Sequence, residues 1–250
     1  MLRFCFSLFI AAAMILGGCA NRHDQDSGKI TLTKMEGPAL SYLLPDPRHD
    51  SKVSVEKALM NRRSHRSFMK EAISADVVSQ MLWAAYGITK KIPNNPKYPG
   101  LRTAPSARRL YPLRIYIAIG NVEGIEPGVY RYIASEQKIT RVIAGDIRDS
   151  LSAAANNETM ILEAPACIFY ATNTVVIKET GKRAIDNYVG IDLGHSAQNV
   201  YLQAEALGIG TCAIGGFNEV NVRRVMQIPE NEAPVYLMPF GKYFREADLQ

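Results

Sequence analysis

Arg62-Arg63-Ser64-His65-Arg66-Ser67 places three guanidiniums and two hydroxyls within six residues. Arginine forks match phosphate oxygens bidentately and serine adds a neutral donor, so this spacing suits an anion site. A solvated basic turn has the same spacing, and the residues alone leave the two readings open. A second stretch offers different chemistry. Thr211-Cys212-Ala213-Ile214 is short and apolar, and Gly215-Gly216 follows it. Glycine pairs at a strand end leave the backbone bare, so it can approach a flat ligand. Asp192 and His195 lie one helical turn apart, a pair that could orient an imidazole for acid–base work. A histidine merely donating to a carboxylate within its own helix is the simpler account. No residue is assigned a catalytic role. No His/Cys cluster has metal-ligand spacing, and Cys167 and Cys212 read as two buried thiols rather than a disulfide.

These groups need a scaffold, and residues 184–207 supply its longest part. They read as one helix with two apolar rows, Ile185, Val189, Leu193, Val200, Ala204 and Leu207 on one, Tyr188, Ile191, Leu202 and Ala206 on the other. A helix apolar on nearly all sides must be buried, here against its own sheet and a second subunit. Gly208 and Gly210 stop it. Residues 54–61 form a helix capped by Ser54, and residues 74–86 one capped by Ser74 and closed by Gly87. Further helices fall at 147–155 and 219–226. Strands fall at 113–119, 129–133, 138–143, 166–172, 211–214 and 235–240. Residues 89–103, with Pro93, Pro96, Pro99 and Gly100, read as a long irregular binding loop or lid. The lone Trp83 reads as a core or interface anchor. The sum is an α+β domain, a mostly antiparallel sheet of four or five strands sandwiched by helices.

The N-terminus stands apart. Arg3 precedes an apolar run at 8–16 that is too short to span a bilayer, and Leu16-Gly17-Gly18-Cys19 follows. That pattern is a secretory signal, and it resembles the bacterial lipobox in which the cysteine becomes the lipidated N-terminus. The expected organisation is a signal at 1–18, lipidated Cys19 and a flexible tether at 19–29, and one domain at 30–250. The expected location is an exported, membrane-anchored lipoprotein on the periplasmic face, at the outer membrane in a Gram-negative host. Net charge falls from +5 to +4 when the signal, which carries Arg3 and no acid, is removed. The remaining basic residues form no stripe, so nucleic-acid binding is not supported.

Three motifs carry a family resemblance. They are the Arg62–Phe68 stretch, Ala104-Pro105-Ser106-Ala107 followed by Tyr111-Pro112, and Gly194-His195-Ser196-Ala197-Gln198-Asn199 followed by Ala206-Leu207-Gly208-Ile209-Gly210. Their order resembles the nitroreductase superfamily. Asp192-Leu193-Gly194-His195 and the run from Gly210 to Phe217 are closest to its SagB/ThcOx-type dehydrogenase branch. The resemblance covers roughly residues 53–242. It implies a nitroreductase-like three-layer fold and a homodimer binding two FMN molecules at the subunit interface. Hydride passes through flavin by a ping-pong scheme, with a small-molecule substrate and NAD(P)H or a quinone as redox partner. It assigns Arg62, Ser64 and Arg66 to the FMN phosphate and ribityl chain, with Arg63 beside them. Pro105, Ser106 and Ala107 match the loop that reaches the flavin of the other subunit. Ile214, Gly215 and Gly216 match backbone along the isoalloxazine ring, and Lys242 matches a basic residue that closes on the phosphate. Arg108-Arg109 departs from the branch, which usually has small residues there; it favours an acidic substrate or points to solvent. The alternative is a flavin-binding or scaffold protein of this fold without turnover.

Overall fold

Residues 166–171 run apolar without a break, and a strand of that composition must be covered on both faces. The computed structural model, which describes residues 31–95, 98–175 and 182–244 (182–187 by backbone alone), places this strand inside an eight-stranded sheet. The strands are β1 (Thr33–Met35), β2 (Ser41–Leu43), β5 (Leu113–Ile119), β6 (Gly128–Ile133), β7 (Lys138–Ala144), β8 (Ala166–Asn173), β9 (Gly210–Thr211) and β10 (Glu232–Gly241). Their order is β1-β2-β7-β6-β5-β8-β10-β9, with antiparallel pairing throughout.

Period-two alternation sorts the side chains of β5 and β8 into two cores. Ile115, Ile117, Ile119, Ile168 and Tyr170 enter one, with α2 (Ala75–Tyr86) and α5 (Lys182–Leu207) packed over them. Tyr116, Ala118, Cys167, Phe169 and Ala171 enter the other, beneath α3 (Arg148–Ala154), α4 (Thr159–Glu163) and α6 (Glu219–Met226). The result is three layers, helix–sheet–helix. Helix α1 (Val55–Asn61) leads into the arginine-rich segment.

The expected caps are present. Ser54 accepts the Lys57 amide, Ser74 accepts the Val77 amide, and Gly87 closes α2. Cys167 and Cys212 are free and buried.

Several expectations need correction. The sheet has eight strands rather than four or five; β1 and β2 lie outside the expected set, because they are three residues long and show no usable alternation. The loop expected at 89–103 contains a hairpin of β3 (Ile88–Lys91) and β4 (Gly100–Arg102). The strand expected at 211–214 shortens to β9 plus one bridge from Ile214 to Leu237. Helix α5 buries only one row in this chain: Val189, Val200 and Ala204 lie in the core, whereas Ile191 is 50 % exposed. The lipobox and the signal fall at 1–30, outside the described residues. Among the described residues, no helix is long and apolar enough to cross a membrane.

Candidate functional site

The arginine-rich segment is held by backbone. Arg62 ends α1, and its N–H bonds the Ala58 carbonyl. Beyond it the His65 amide donates to the Thr211 carbonyl at 3.0 Å and the Met69 amide to the Lys242 carbonyl at 2.9 Å. Residues 62–69, β9 and the end of β10 are therefore one assembly. Gly210 permits the close approach, since a Cβ there would lie 2.7 Å from that of His65.

Tyr201, on α5, ties this assembly to the glycine edge. Its hydroxyl lies 3.0 Å from Ser64 Oγ and accepts the Ala213 amide at 2.9 Å. The Arg62 guanidinium sits 5.2 Å from the centre of its ring, within cation–π range. Sequence reasoning missed Tyr201. Its one signal was a phenol on the flank of a buried apolar stripe, where the hydroxyl must find partners. One residue thus positions Arg62, Ser64 and the backbone leading to Ile214.

The remaining cations differ in freedom. Arg63 is exposed and turned back on the Met60 and Arg62 carbonyls at 3.1 and 2.9 Å. Arg66 is exposed and has no hydrogen bond or ion pair among the described residues. Lys242 is present at the site through its backbone, but its ammonium pairs with Glu71 at 2.6 Å. The neighbouring Tyr243 stacks on His65 with ring centres 3.7 Å apart.

Burial holds the His65 imidazole below its ordinary value of 6.5, with Arg63 assisting and Glu205 opposing. Above pH 6.5 the ring is neutral in folded and unfolded chains alike. Below it, the unfolded chain takes up the proton first, so stability falls as pH drops. His65→Phe keeps a ring on Tyr243 and removes the titration. Melting temperatures from pH 7 to 5 are expected to fall more steeply for the wild type than for this variant. Parallel curves would show that His65 does not contribute.

The glycine edge is open. Ile214 is buried and exchanges backbone hydrogen bonds with Leu237 at 2.8 and 3.0 Å. Gly215 and Gly216 are exposed. A Cβ on Gly216 would meet nothing within 4 Å, and the Gly216 carbonyl is fixed by Asn156 at 3.0 Å. The backbone therefore presents a held, unobstructed face.

Pro105, Ser106 and Ala107 lie elsewhere. Ser106 Oγ donates to Asp192 at 2.5 Å, the Ala107 amide donates to the same carboxylate at 3.1 Å, and Ser106 accepts the Tyr111 amide at 2.8 Å. Asp192 and Tyr201 are nine residues apart on α5, about 13 Å along the axis and half a turn around it. Within one chain, then, the 105–107 loop sits on a different face of α5 from the Arg62–Ser64–Ala213 group. Neither reading of the Asp192–His195 pair holds, neither the acid–base pair nor the buried histidine donating to the carboxylate. The carboxylate is 1 % exposed and taken up by the loop, while His195 faces outward. Arg108 and Arg109 are exposed at the loop tip.

The model described as the nitroreductase family matches residues 59–242. A Methanocaldococcus jannaschii protein, named provisionally as a nitroreductase, is 35% identical over 210 residues, covering 82% of this chain and 98% of its own. The crystal structure of a provisional nitroreductase from Ralstonia eutropha superposes with a TM-score of 0.70 at 23% identity, covering 87% of this chain and 100% of that one. One from Anabaena variabilis gives a TM-score of 0.67 at 26% identity, covering 89% of this chain but 46% of its own.

Proposed function

This chain belongs to the nitroreductase family, and we propose that it is an FMN-dependent oxidoreductase that works as a homodimer. The observation that carries the reading is the cluster around Tyr201, which sets Arg62 and Ser64 beside a bare backbone edge. The residues fit the cofactor. A phosphate dianion calls for two or three cationic partners, and Arg66 is uncommitted. The open space at Gly216 accepts a flat ring without a clash.

In this reading Arg62, Ser64 and Arg66 hold the phosphate and ribityl chain, with Arg63 and Lys242 at the margin. Ile214, Gly215 and Gly216 lie along the isoalloxazine. Pro105, Ser106 and Ala107 serve the flavin of the second copy, which the division of the two groups between faces of α5 supports. Bound FMN supplies hydride transfer to and from its N5, and substrates alternate in one pocket. The protein binds and orients, and nearby guanidiniums favour the reduced, anionic flavin. Motif wording favours the SagB/ThcOx-type dehydrogenase branch.

The reading extends to location. The signal at 1–18, lipidated Cys19, tether at 19–29 and domain at 30–250 make an exported lipoprotein on the periplasmic face, at the outer membrane of a Gram-negative host. A quinone or partner reductase suits that compartment as redox partner better than NAD(P)H.

The test is a visible spectrum of the detergent-purified full chain under argon, before and after FMN and then NADPH. Flavin bands that persist with NADPH keep the cofactor and point to another donor, which supports the dehydrogenase reading. Bands that bleach with NADPH make it a flavin reductase. No bands even with added FMN overturn the proposal and leave a scaffold that kept the fold. Cys19→Ser is expected to move the protein from the membrane to the soluble fraction.

A further inference from the structure

Behind the 105–111 loop lies a cavity of about 390 Å³ that the flavin reading does not use. Its walls include Tyr86, Arg102, Tyr111, Arg114, Arg131 and Tyr132. Arg102 comes from β4, Arg114 from β5 and Arg131 from β6; the last two share the sheet face of Tyr116, and Arg114 also donates to the Tyr111 and Leu113 carbonyls at 3.3 and 3.1 Å.

The charges do not balance. Arg114 and Arg131 share a single carboxylate, Glu232, at 4.0 and 3.8 Å, and Glu232 also accepts the Tyr116 hydroxyl at 2.7 Å. Arg102 has no carboxylate partner among the described residues. Its guanidinium lies 4.3 Å from the centre of the Tyr86 ring and 5.4 Å from that of Tyr111, and one Nη donates to the Tyr86 carbonyl at 2.7 Å. Arg102 Nε is sealed from solvent without a hydrogen-bond acceptor. The Tyr86 hydroxyl, on a side chain 2 % exposed, also lacks a partner of good geometry among the described residues.

A half-buried cation without a counter-charge is costly, and so is a buried donor without an acceptor. An anion in the cavity would supply the missing counter-charge. Arg102, without a carboxylate of its own, leaves room for negative charge, and a planar fork pairs bidentately with a carboxylate. The other walls are tyrosine rings, which favour a flat apolar body.

We propose that this cavity binds a small aromatic carboxylate, its acid group on Arg102 and Arg114 and its ring among Tyr86, Tyr111 and Tyr132. Tyr111 connects this cavity to the 105–107 loop, because its amide is bonded to Ser106. Ligand entry would thus be felt at a segment assigned to the flavin of the second copy. That connection rests on the flavin reading; the binding itself does not.

Isothermal titration of the full chain with benzoate, benzamide and inorganic phosphate tests this, in FMN-free and FMN-saturated protein. One benzoate per chain is expected in both, with the neutral isostere benzamide at least tenfold weaker. Losing one charge-assisted contact should weaken benzoate about tenfold or more, so Arg102→Met and Arg114→Gln should each do so. Arg102 packs between two rings and its variant risks misfolding. Arg114→Gln leaves Glu232 its contacts with Arg131 and the Tyr116 hydroxyl, so this variant keeps the test decisive. Equal binding of benzoate and benzamide, unchanged affinity in Arg114→Gln, or phosphate binding without benzoate would each overturn the proposal. Benzoate binding that depends on Arg114 in a protein that never takes up FMN would sink the flavin reading and leave this one intact.

Discussion

Replacing Arg66 by alanine is expected to weaken FMN binding about ten- to hundredfold, and Arg62→Ala to do at least as much. Each removes a charge-assisted contact to phosphate, worth about 1.5–3 kcal/mol. The two arginines differ in what else they do. Arg66 is exposed and engages nothing among the described residues, so its loss should leave the melting temperature of the cofactor-free protein unchanged. Arg62 also packs on Tyr201, so its loss should lower stability slightly as well.

The structure ranks the neighbouring cations below these two. Arg63 is turned onto the carbonyls at the end of α1. Lys242 must leave Glu71 before it can approach a phosphate. Arg63→Ala and Lys242→Ala should therefore each cost less than tenfold. Quenching of FMN fluorescence during titration reads all four affinities. If Arg63→Ala proved as damaging as Arg66→Ala, the phosphate would not lie where Ser64 and Tyr201 point.

Elements with strong local signals were readable from residues alone. Ser74 and Gly87 bracket α2 as cap and stop, and the helix expected at 219–226 is α6. The length of α5 follows from an apolar pattern that no proline interrupts. The outer strands were not readable, because β1 and the β3–β4 hairpin are largely exposed and owe their form to partners distant in sequence.

The site divides along the same line. The Arg62–Ser67 cluster and the glycine pair are contiguous in sequence, so their composition betrays them. Tyr201 is separated from Ser64 by 137 residues, and no local pattern announces that contact. Nor does any pattern link Arg102, Arg114 and Arg131, which only the pairing of β5 with β6 and the return of the hairpin bring together.

Asp192 shows how local spacing misleads, and how to test the correction. One turn of helix separates it from His195, yet its oxygens accept Ser106 Oγ and the Ala107 amide, 86 and 85 residues away. The loop it holds is strained. Arg108, Arg109 and Tyr111 adopt φ of 53°, 58° and 45°, left-handed conformations that non-glycine residues keep only when their surroundings enforce them. Asp192→Ala removes the acceptor shared by two donors and should cost about 2–3 kcal/mol of stability. Asp192→Asn retains one acceptor oxygen and should lose roughly half as much. Released from its anchor, the loop should relax so that trypsin can bind the already exposed Arg108 and Arg109 in extended form, and nicking there should accelerate in Asp192→Ala before the rest of the chain is cut. His195 is exposed, and His195→Ala should stay within about 0.5 kcal/mol of wild type with unaltered nicking. A loss in His195→Ala equal to that in Asp192→Ala would return the carboxylate to its helical neighbour and leave the strained loop without an anchor.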